Sequence, residues 1–264
     1  MPADGQASSG YLVEAGDTRI MLDAGPGTAL NLSRHLGDRP LGGVFISHLH
    51  TDHLLDLLPI GKMLLSRRLR GDLSTDRVEI DESVPRVPLL VPEGARAVLD
   101  RYAALFPVTT HPVLDRAFEL AFEVSEYQPD EERRLGELSL RFASLRHIAA
   151  NCGVRVETGG RSLVYTGDTG VTPALPELAQ GADLLLSEST LRQTDTTGHG
   201  HLSSRDAAYA ARDAGVGTLV LTHFASPDVA EHEWHRARAV EVFDGSVDIA
   251  RIGQTHIIDP RKAS

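Results

Sequence analysis

Short apolar runs alternate with longer amphipathic stretches along most of the chain, and this alternation is the clearest structural signal in the sequence. Short apolar runs bounded by turn residues are typical of buried strands, whereas apolar positions recurring every three or four residues are typical of helices. The predicted strands cover residues 11–14, 19–22, 43–47, 89–91, 118–127, 138–142, 154–157, 162–165, 184–186 and 218–221. The predicted helices cover residues 28–36, 54–70, 93–106, 172–180, 203–214 and 232–243. Strands and helices in this order predict a layered α/β fold.

The chain shows no internal repeat or low-complexity linker, and we expect residues 1–264 to form a single domain. The charged, proline-bearing segment 71–88 is predicted to be a loop or insertion. An acidic turn is expected between the strands that end at 127 and begin at 138.

Composition narrows the class of protein. Hydrophobic residues make up 41% of the chain and charged residues 24%, which is ordinary for a soluble globular enzyme. No apolar stretch is long enough to cross a membrane, and the first residues lack the pattern of a signal peptide. The single cysteine, Cys152, excludes an intramolecular disulfide framework, so we expect a cytoplasmic location and a packed role for this side chain.

The net charge of −11 argues against a broad surface for polyanions. One local basic cluster, Arg67-Arg68-Leu69-Arg70, lies at the end of a predicted helix. Cations at that position usually complement the helix dipole, and we favour this interpretation over a nucleic-acid contact.

Three histidines and one aspartate lie in the segment His48-Leu49-His50-Thr51-Asp52-His53, directly after an apolar strand. Imidazole and carboxylate are ligands that suit zinc. In an extended strand end His48 and His50 point to the same side, so they can share one metal ion. Asp52 and His53 follow where the chain turns into a helix, and they can reach a second ion. A histidine-rich surface loop is the alternative, but burying these polar groups together would be costly without a metal.

Further chemistry-bearing side chains follow apolar runs downstream. Asp168, Glu188 and His223 each lie at the carboxyl end of a predicted strand, and His147 follows the strand that begins at 138. The carboxyl ends of strands are where α/β sheets usually hold their sites. Alone, Asp168 could be a turn former and His223 a helix-entry residue. Together with the histidine motif they indicate a site for two metal ions.

With these motifs the chain resembles the metallo-β-lactamase superfamily, and within it the ribonuclease Z-like branch. The matching segments are Leu22-Asp23-Ala24-Gly25-Pro26-Gly27, Ser47 to His53, His147 with Asn151-Cys152-Gly153-Val154-Arg155, Thr166-Gly167-Asp168-Thr169, Glu188-Ser189-Thr190, Gly200-His201-Leu202-Ser203 and Leu221-Thr222-His223-Phe224. The resemblance implies a four-layer αββα metallo-β-lactamase sandwich with a dizinc site at one edge of the two sheets. It also implies an opening strand that would precede Pro2, so either the start site is placed late or the first sheet lacks an edge strand.

The resemblance implies a role for each motif residue. It implies one zinc ion held by His48, His50 and His147, a second held by Asp52, His53 and His223, and Asp168 as the bridge between the two ions. Mn²⁺ or Fe²⁺ would also suit these ligands. Asp52 is the candidate that orients or deprotonates the attacking water. The resemblance implies that His201 assists the leaving group and that Glu188 orients it; His199 competes with His201 for this role.

These assignments predict a dizinc phosphodiesterase that uses a metal-activated water. Because no tRNA-gripping arm is visible between His53 and His147, a small or cyclic phosphodiester is favoured over a tRNA 3′ end, and tRNA remains disfavoured as a partner. A membrane partner is not expected, and a homodimer is allowed. An acyl hydrolase (a thioesterase or lactonase) on the same dizinc site is the main alternative. A non-catalytic metal-binding protein is the second, although an intact ligand set weighs against it.

The remaining histidines lack matching motif context and are expected to be surface or cap residues. They are His35, His111, His232, His235 and His256. For His235, next to Trp234 in the last predicted helix, packing is the better explanation.

Overall fold

The computed structural model describes residues 6–72 and 77–259. The elements of the first half are β1 (Tyr11–Ala15), β2 (Thr18–Leu22), α1 (Thr28–Leu36), β3 (Gly43–Phe45), α2 (Thr51–Leu54), α3 (Leu57–Arg68), β4 (Leu69–Asp72), β5 (Arg77–Ile80), β6 (Val87–Val91), α4 (Ala95–Ala104), a 3₁₀ helix (Pro112–Arg116), α5 (Ala117–Ala121) and β7 (Phe122–Glu126). The elements of the second half are β8 (Glu132–Leu135), β9 (Leu138–Leu145), β10 (Asn151–Thr158), β11 (Arg161–Tyr165), α6 (Ala174–Leu178), β12 (Leu184–Glu188), α7 (Ser204–Asp213), β13 (Thr218–Thr222), α8 (Val229–Val240) and β14 (Ser246–Ile249).

Two mixed sheets form the centre of the molecule. The first sheet has the strand order β1-β2-β3-β6-β7, and the second has the order β14-β13-β12-β11-β10-β9-β8. Strands β2, β3, β6 and β7 are parallel to one another, as are β11 to β14. Each sheet therefore has a parallel part whose strands all end at the same edge.

Three apolar layers hold the sheets and helices together. The layer between the two sheets includes the rings of Phe45, Tyr127 and Phe142, whose centroids lie 4.6–5.5 Å apart. A second layer joins the first sheet to α1, α3, α4 and α5, and a third joins the second sheet to α6, α7 and α8. This arrangement confirms the predicted αββα sandwich. Strand β3 shows why it forms, because Val44 packs on the helices while Phe45 packs on the opposite sheet.

Helix α3 covers only Leu57–Arg68 of the helix predicted over 54–70, because Leu54 ends the separate helix α2 and residues 69–70 begin β4. The short helix α2 begins at Thr51 and α3 begins at Leu57. Between them the amide of Asp56 donates to the carbonyl of Ala24, and the Asp56 carboxylate accepts from the amide of Ala29 in α1. The interruption thus ties the loop after β2 to the segment that carries Asp52 and His53.

Other parts of the structure differ from the predicted elements or add to them. Residues 117–121 form helix α5 rather than the start of a strand, because Ala117 and Phe118 pack with α3 and α4 on the first sheet. The predicted loop 71–88 contains most of the two-stranded ribbon β4–β5. The acidic turn contains β8, and a further edge strand, β14, follows the last helix. Of the helices in 6–72 and 77–259, none combines the length and the apolar character needed to cross a membrane.

Candidate metal centre

Four of the predicted ligands converge at one point. The ligand atoms of His48, His50, His147 and Asp168 all lie within 4.8 Å of one another. His147 Nε2 lies 3.2 Å from His50 Nδ1, and Asp168 Oδ2 lies 3.7 Å from His48 Nε2 and 3.9 Å from His147 Nε2. Three ring nitrogens and one carboxylate oxygen around a common point match the ligand number of a tetrahedral zinc site.

The other three predicted ligands form a second group beside the first. Asp52, His53 and His223 have their ligand atoms within 4.8 Å of one another. His223 Nε2 lies 3.3 Å from His53 Nε2 and 3.4 Å from Asp52 Oδ2. Asp168 presents its other oxygen here, since Oδ1 lies 3.3 Å from His53 Nε2 and 3.4 Å from His223 Nε2. Asp168 therefore has one carboxylate oxygen for each group, which is the geometry of a bridging ligand.

The burial of these groups supports a metal site. His48 and His53 are fully buried and Asp168 is 2% exposed. Within the described part of the chain, His48 Nε2 and Asp168 Oδ1 are among the buried polar atoms that make no hydrogen bond. Unpartnered buried polar atoms are costly, and a metal ion would satisfy both of these atoms. Burial also lowers the pKa of His48 to about 2, which keeps its imidazole neutral as ligation requires.

Hydrogen bonds behind the ligands fix which nitrogen faces the centre. The His147 Nδ1–H group donates to the carbonyl of Gly200 at 2.9 Å, and Nε2 is left for the metal. The Thr190 hydroxyl donates to Glu188 Oε2 at 2.7 Å, so its oxygen accepts from His223 Nδ1 at 2.8 Å. Such outer partners orient metal-ligating imidazoles and set their tautomer.

Asp23 is the centre of a second network behind the site. Its carboxylate accepts from the Ser47 amide at 2.6 Å, the Ser47 hydroxyl at 2.7 Å, the Tyr165 hydroxyl at 2.6 Å and His53 Nδ1 at 2.7 Å. Because its hydroxyl donates to Asp23, Ser47 Oγ accepts from His48 Nδ1 at 3.0 Å. Burial opposes the charged form of His53, but the Asp23 and Asp168 carboxylates outweigh it and raise its pKa to about 10. The sequence places Asp23 at the end of a buried strand, but that position alone did not reveal this role.

The backbone at the site is unusually close-packed and partly strained. Asp23 and His223 both have positive φ, at 60° and 55°, which side chains other than glycine rarely adopt. A Cβ on Gly25 would overlap the carbonyl oxygen of Asp52. The Gly25 contact holds the loop after β2 against the segment that carries the histidine motif.

The buried carboxylate of Glu188 pairs with the partly exposed His201 next to the predicted ligands. Glu188 is fully buried, and its Oε1 accepts from His201 Nδ1 at 3.0 Å and from the Thr169 amide at 2.6 Å. The hydrogen bond to Glu188 raises the pKa of His201. One ring nitrogen of His201 lies within 4.8 Å of ligand atoms of Asp168 and His223. His199 is exposed, so the structure places His201 rather than His199 at the centre.

Asp52 is suited to remain a carboxylate at this position. Its hydrogen bond with His223 holds its pKa well below the usual range, against the opposing effect of burial. A charged carboxylate is able both to ligate a metal ion and to accept a proton.

Two side chains outside the centre clarify the earlier expectations. Cys152 is 7% exposed, and burial raises the pKa of its thiol to about 11, so it is a packed side chain as expected. His235 is 3% exposed and its Nδ1 lies 3.2 Å from the Ser189 hydroxyl. The expectation of a surface or cap position is wrong for His235, whereas packing is correct.

Comparisons with known proteins agree with this fold. The family model described as a β-lactamase superfamily domain matches residues 18–224. The probable metallo-hydrolase YhfI of Bacillus subtilis is 28% identical over 253 residues, which cover 96% of this chain and 93% of YhfI. Its crystal structure, described as a metallo-β-lactamase fold protein, superposes with a TM-score of 0.76 at 27% identity, covering 96% of this chain and 92% of that one.

Ribonuclease Z proteins are a second group of relatives. The ribonuclease Z of Mycobacterium bovis is 28% identical over 290 residues, which cover 99% of this chain and 96% of that protein. The crystal structure of the short form of human tRNase Z has a TM-score of 0.70 at 21% identity, covering 98% of this chain and 95% of that one, and it shows the same fold. The resemblance drawn from the sequence motifs is thereby confirmed.

Proposed function

Because the chain belongs to the β-lactamase superfamily, has the metallo-β-lactamase fold and carries a candidate site for two metal ions, we propose that it is a zinc-dependent phosphodiesterase. Its proposed substrates are small or cyclic phosphodiesters. His48, His50 and His147 would hold one ion, and Asp52, His53 and His223 the other. Asp168 would bridge the two ions through its two carboxylate oxygens.

When bound, the two ions would supply the positive charge that activates a water molecule and neutralises the non-bridging oxygens of the phosphate. The residues of the chain would position the water and hold the ligands. Asp52 would orient the water with its carboxylate, which stays charged beside His223, or would accept the proton of that water as the candidate base. The networks behind the ligands would keep them in place during turnover.

The observation that favours a phosphodiester over a thioester is the His201–Glu188 pair. An alcohol that leaves a phosphodiester needs a proton, whereas the thiolate that leaves a thioester does not. A histidine whose pKa is raised by a buried carboxylate is suited to donate that proton near neutral pH. This pair lies directly beside Asp168 and His223, where the leaving group would be.

A tRNA 3′ end is the second candidate, and the ribonuclease Z relatives favour it. The contacts of the basic cluster weigh against it. Arg67 donates to the carbonyls of Gly37 and Arg39, Arg68 is 4% exposed, and Arg70 pairs with Asp81 at 2.6 Å. Tight tRNA binding needs many cations directed at phosphates, and these three arginines are committed to contacts within the protein. A homodimer would be required to bring a second basic surface to the site.

The proposal can be tested with zinc-reconstituted protein on four substrates. They are bis-p-nitrophenyl phosphate, a cyclic nucleotide, a precursor tRNA and an acyl thioester. We expect turnover of the two small phosphodiesters, and we expect His201→Ala to reduce it on the order of 10²-fold for the cyclic nucleotide. The loss should be smaller for bis-p-nitrophenyl phosphate, because nitrophenolate leaves without a proton.

His199→Ala is the matched control, since this histidine is two residues away and exposed; it should retain full activity. Preferential thioester hydrolysis, unaffected by His201→Ala, would replace the phosphodiesterase with the acyl hydrolase. Preferential cleavage of precursor tRNA with a steep salt dependence would establish the second candidate.

A further inference from the structure

The loop of residues 195–200 is organised around the carboxylate of Asp195. Oδ1 accepts from the amide and the hydroxyl of Thr197, at 2.7 and 2.6 Å. Oδ2 accepts from the Gly200 amide at 2.8 Å and from Arg146 Nη2 at 3.1 Å. The Asp195 side chain is 3% exposed although the loop around it is at the surface. One carboxylate therefore receives four hydrogen bonds and sets the shape of the loop.

This loop reaches the metal centre through Gly200. The Gly200 amide is held by Asp195, while the Gly200 carbonyl accepts the Nδ1–H of His147 at 2.9 Å. Gly200 has a φ of 81°, and a Cβ at this position would overlap the Arg146 carbonyl and come within 2.8 Å of His147 Cα. The residue is thus fixed from both sides, and its position determines where the partner of His147 lies.

Arg146 connects the same carboxylate to the loop that carries the bridging aspartate. Its guanidinium donates to Asp195 and to the Thr197 carbonyl, and it packs against Gly170. The Arg146 carbonyl accepts from the Gly170 amide at 2.7 Å, two residues after Asp168. Arg146 also precedes His147 in the chain, so the Asp195–Arg146 pair holds His147 from its backbone as well.

We propose that Asp195 is a positioning residue for the metal centre, which fixes the tautomer and the orientation of His147 through the Gly200 carbonyl. The inference rests on the proposed metal site, and it assigns to Asp195 a role in the affinity for the ion held by His48, His50 and His147. The other ion shares only the bridging Asp168 with this network, because its remaining ligands Asp52, His53 and His223 make no hydrogen bond with residues 195–200 in the described part of the chain. Asp195 is therefore expected to act on one ion selectively.

Asp195→Asn tests the proposal with zinc alone as the probe. The amide of asparagine has one acceptor oxygen and one donor NH2 group, so in either orientation one of the two pairs of donors around Asp195 loses its acceptor and the loop anchor is weakened. We expect a titration of the zinc-loaded protein with a chromogenic chelator to show one ion released 10–100-fold more readily, which is the usual effect of an outer partner of a metal ligand. The second ion should be released as in the unchanged protein.

Asp81→Asn is the matched control. Asp81 makes the same local turn, since it accepts from the amide of Ser83 at 2.9 Å and from its hydroxyl at 2.5 Å, and it pairs with Arg70. Among the described residues, neither Ser83 nor Arg70 is hydrogen-bonded to a predicted metal ligand. The Asp81→Asn variant should therefore release both zinc ions as readily as the unchanged protein.

The outcomes separate the possible failures. Zinc release from Asp195→Asn that matches the unchanged protein, or an equal loss of affinity for both ions, would overturn the positioning role. An unchanged protein that binds no zinc would instead overturn the proposed function.

Should Asp195→Asn fail to fold, Thr197→Val removes one donor to Asp195 while keeping the side-chain shape. This milder variant should weaken the same ion by a smaller factor, and zinc release identical to the unchanged protein would again refute the proposal.

Discussion

At the scale of single residues, the candidate site contains chains of hydrogen bonds in which each group fixes whether the next one donates or accepts. Glu188 illustrates this, because the hydroxyl of Thr190 donates to it and is thereby left to accept from His223. The other oxygen of Glu188 accepts from His201. A single buried carboxylate thus controls both a metal ligand and the proposed proton donor.

Glu188→Gln should change the pH profile of phosphodiester cleavage. The Glu188 charge and hydrogen bond raise the pKa of His201, so His201 stays protonated to a higher pH than an isolated histidine. Removing the charge lowers this pKa, and the protonated donor is then lost at a lower pH. We therefore expect the alkaline limb of the kcat profile for a cyclic nucleotide to move to lower pH, with zinc content retained.

Glu157→Gln serves as the control, since Glu157 lies one residue before the end of β10, away from the site, and pairs with Arg155. Its pH profile should match that of the unchanged protein. An alkaline limb that stays in place in Glu188→Gln would show that His201 is not the titrating donor.

At the scale of elements, the predicted ligands follow strand ends, and this is why the sequence alone indicated them. An apolar run followed by Asp, Glu or His is visible in one chain, as at Asp168, Glu188 and His223. Parallel strands bring such ends to one edge, so proximity could be predicted from topology. The partners behind the ligands could not, because Gly200 acts through its carbonyl and Thr190 through a hydroxyl that many loop residues share.

The errors in the predicted elements have a similar cause. Phe118 and Ala121 are buried in α5 as they would be in a strand, and five residues are too few for the apolar period to decide. The strands β8 and β14 lie at the two edges of the second sheet, where backbone pairing requires little apolar sequence. Contacts with neighbouring elements decide the secondary structure of these segments, and such contacts cannot be read from the local sequence.

Gly25→Ala should show how tightly the loop after β2 holds the histidine motif. The added methyl group would overlap the carbonyl oxygen of Asp52, so the backbone at Asp52 and His53 must move. We expect an unfolding free energy lower by about 1–3 kcal/mol in denaturant titrations. Zinc content should also fall, because two ligands of one ion lie on the displaced segment.

Gly198→Ala is the control, because a Cβ there meets no atom within 4 Å among the described residues. Stability and zinc content should stay unchanged in this variant. Full zinc content in Gly25→Ala would show that the ligand segment tolerates the shift.

At the scale of the whole molecule, the site joins the two sheets. His48, His50, Asp52 and His53 follow strand β3 of the first sheet, whereas His147, Asp168 and His223 follow strands β9, β11 and β13 of the second. Each of the two proposed ions takes ligands from both sides, since Asp168 contributes to each group. Bound metal would therefore link the halves of the sandwich in addition to the apolar layer between them.

Removal of the metal should accordingly destabilise the entire fold rather than the site alone. A ligand that binds only the native state at 1,000 times its dissociation constant adds about 4 kcal/mol to the unfolding free energy. For a domain of this size 1 kcal/mol corresponds to roughly 2–4 °C, so one such ion should raise Tm by about 10 °C. Differential scanning calorimetry of the zinc-loaded and the chelator-treated protein measures the difference. Asp168→Asn should show a smaller zinc-dependent shift, because it weakens both groups, while Asp213→Asn at the end of α7 should keep the full shift. Equal Tm values with and without zinc in the unchanged protein would exclude a metal that links the two sheets.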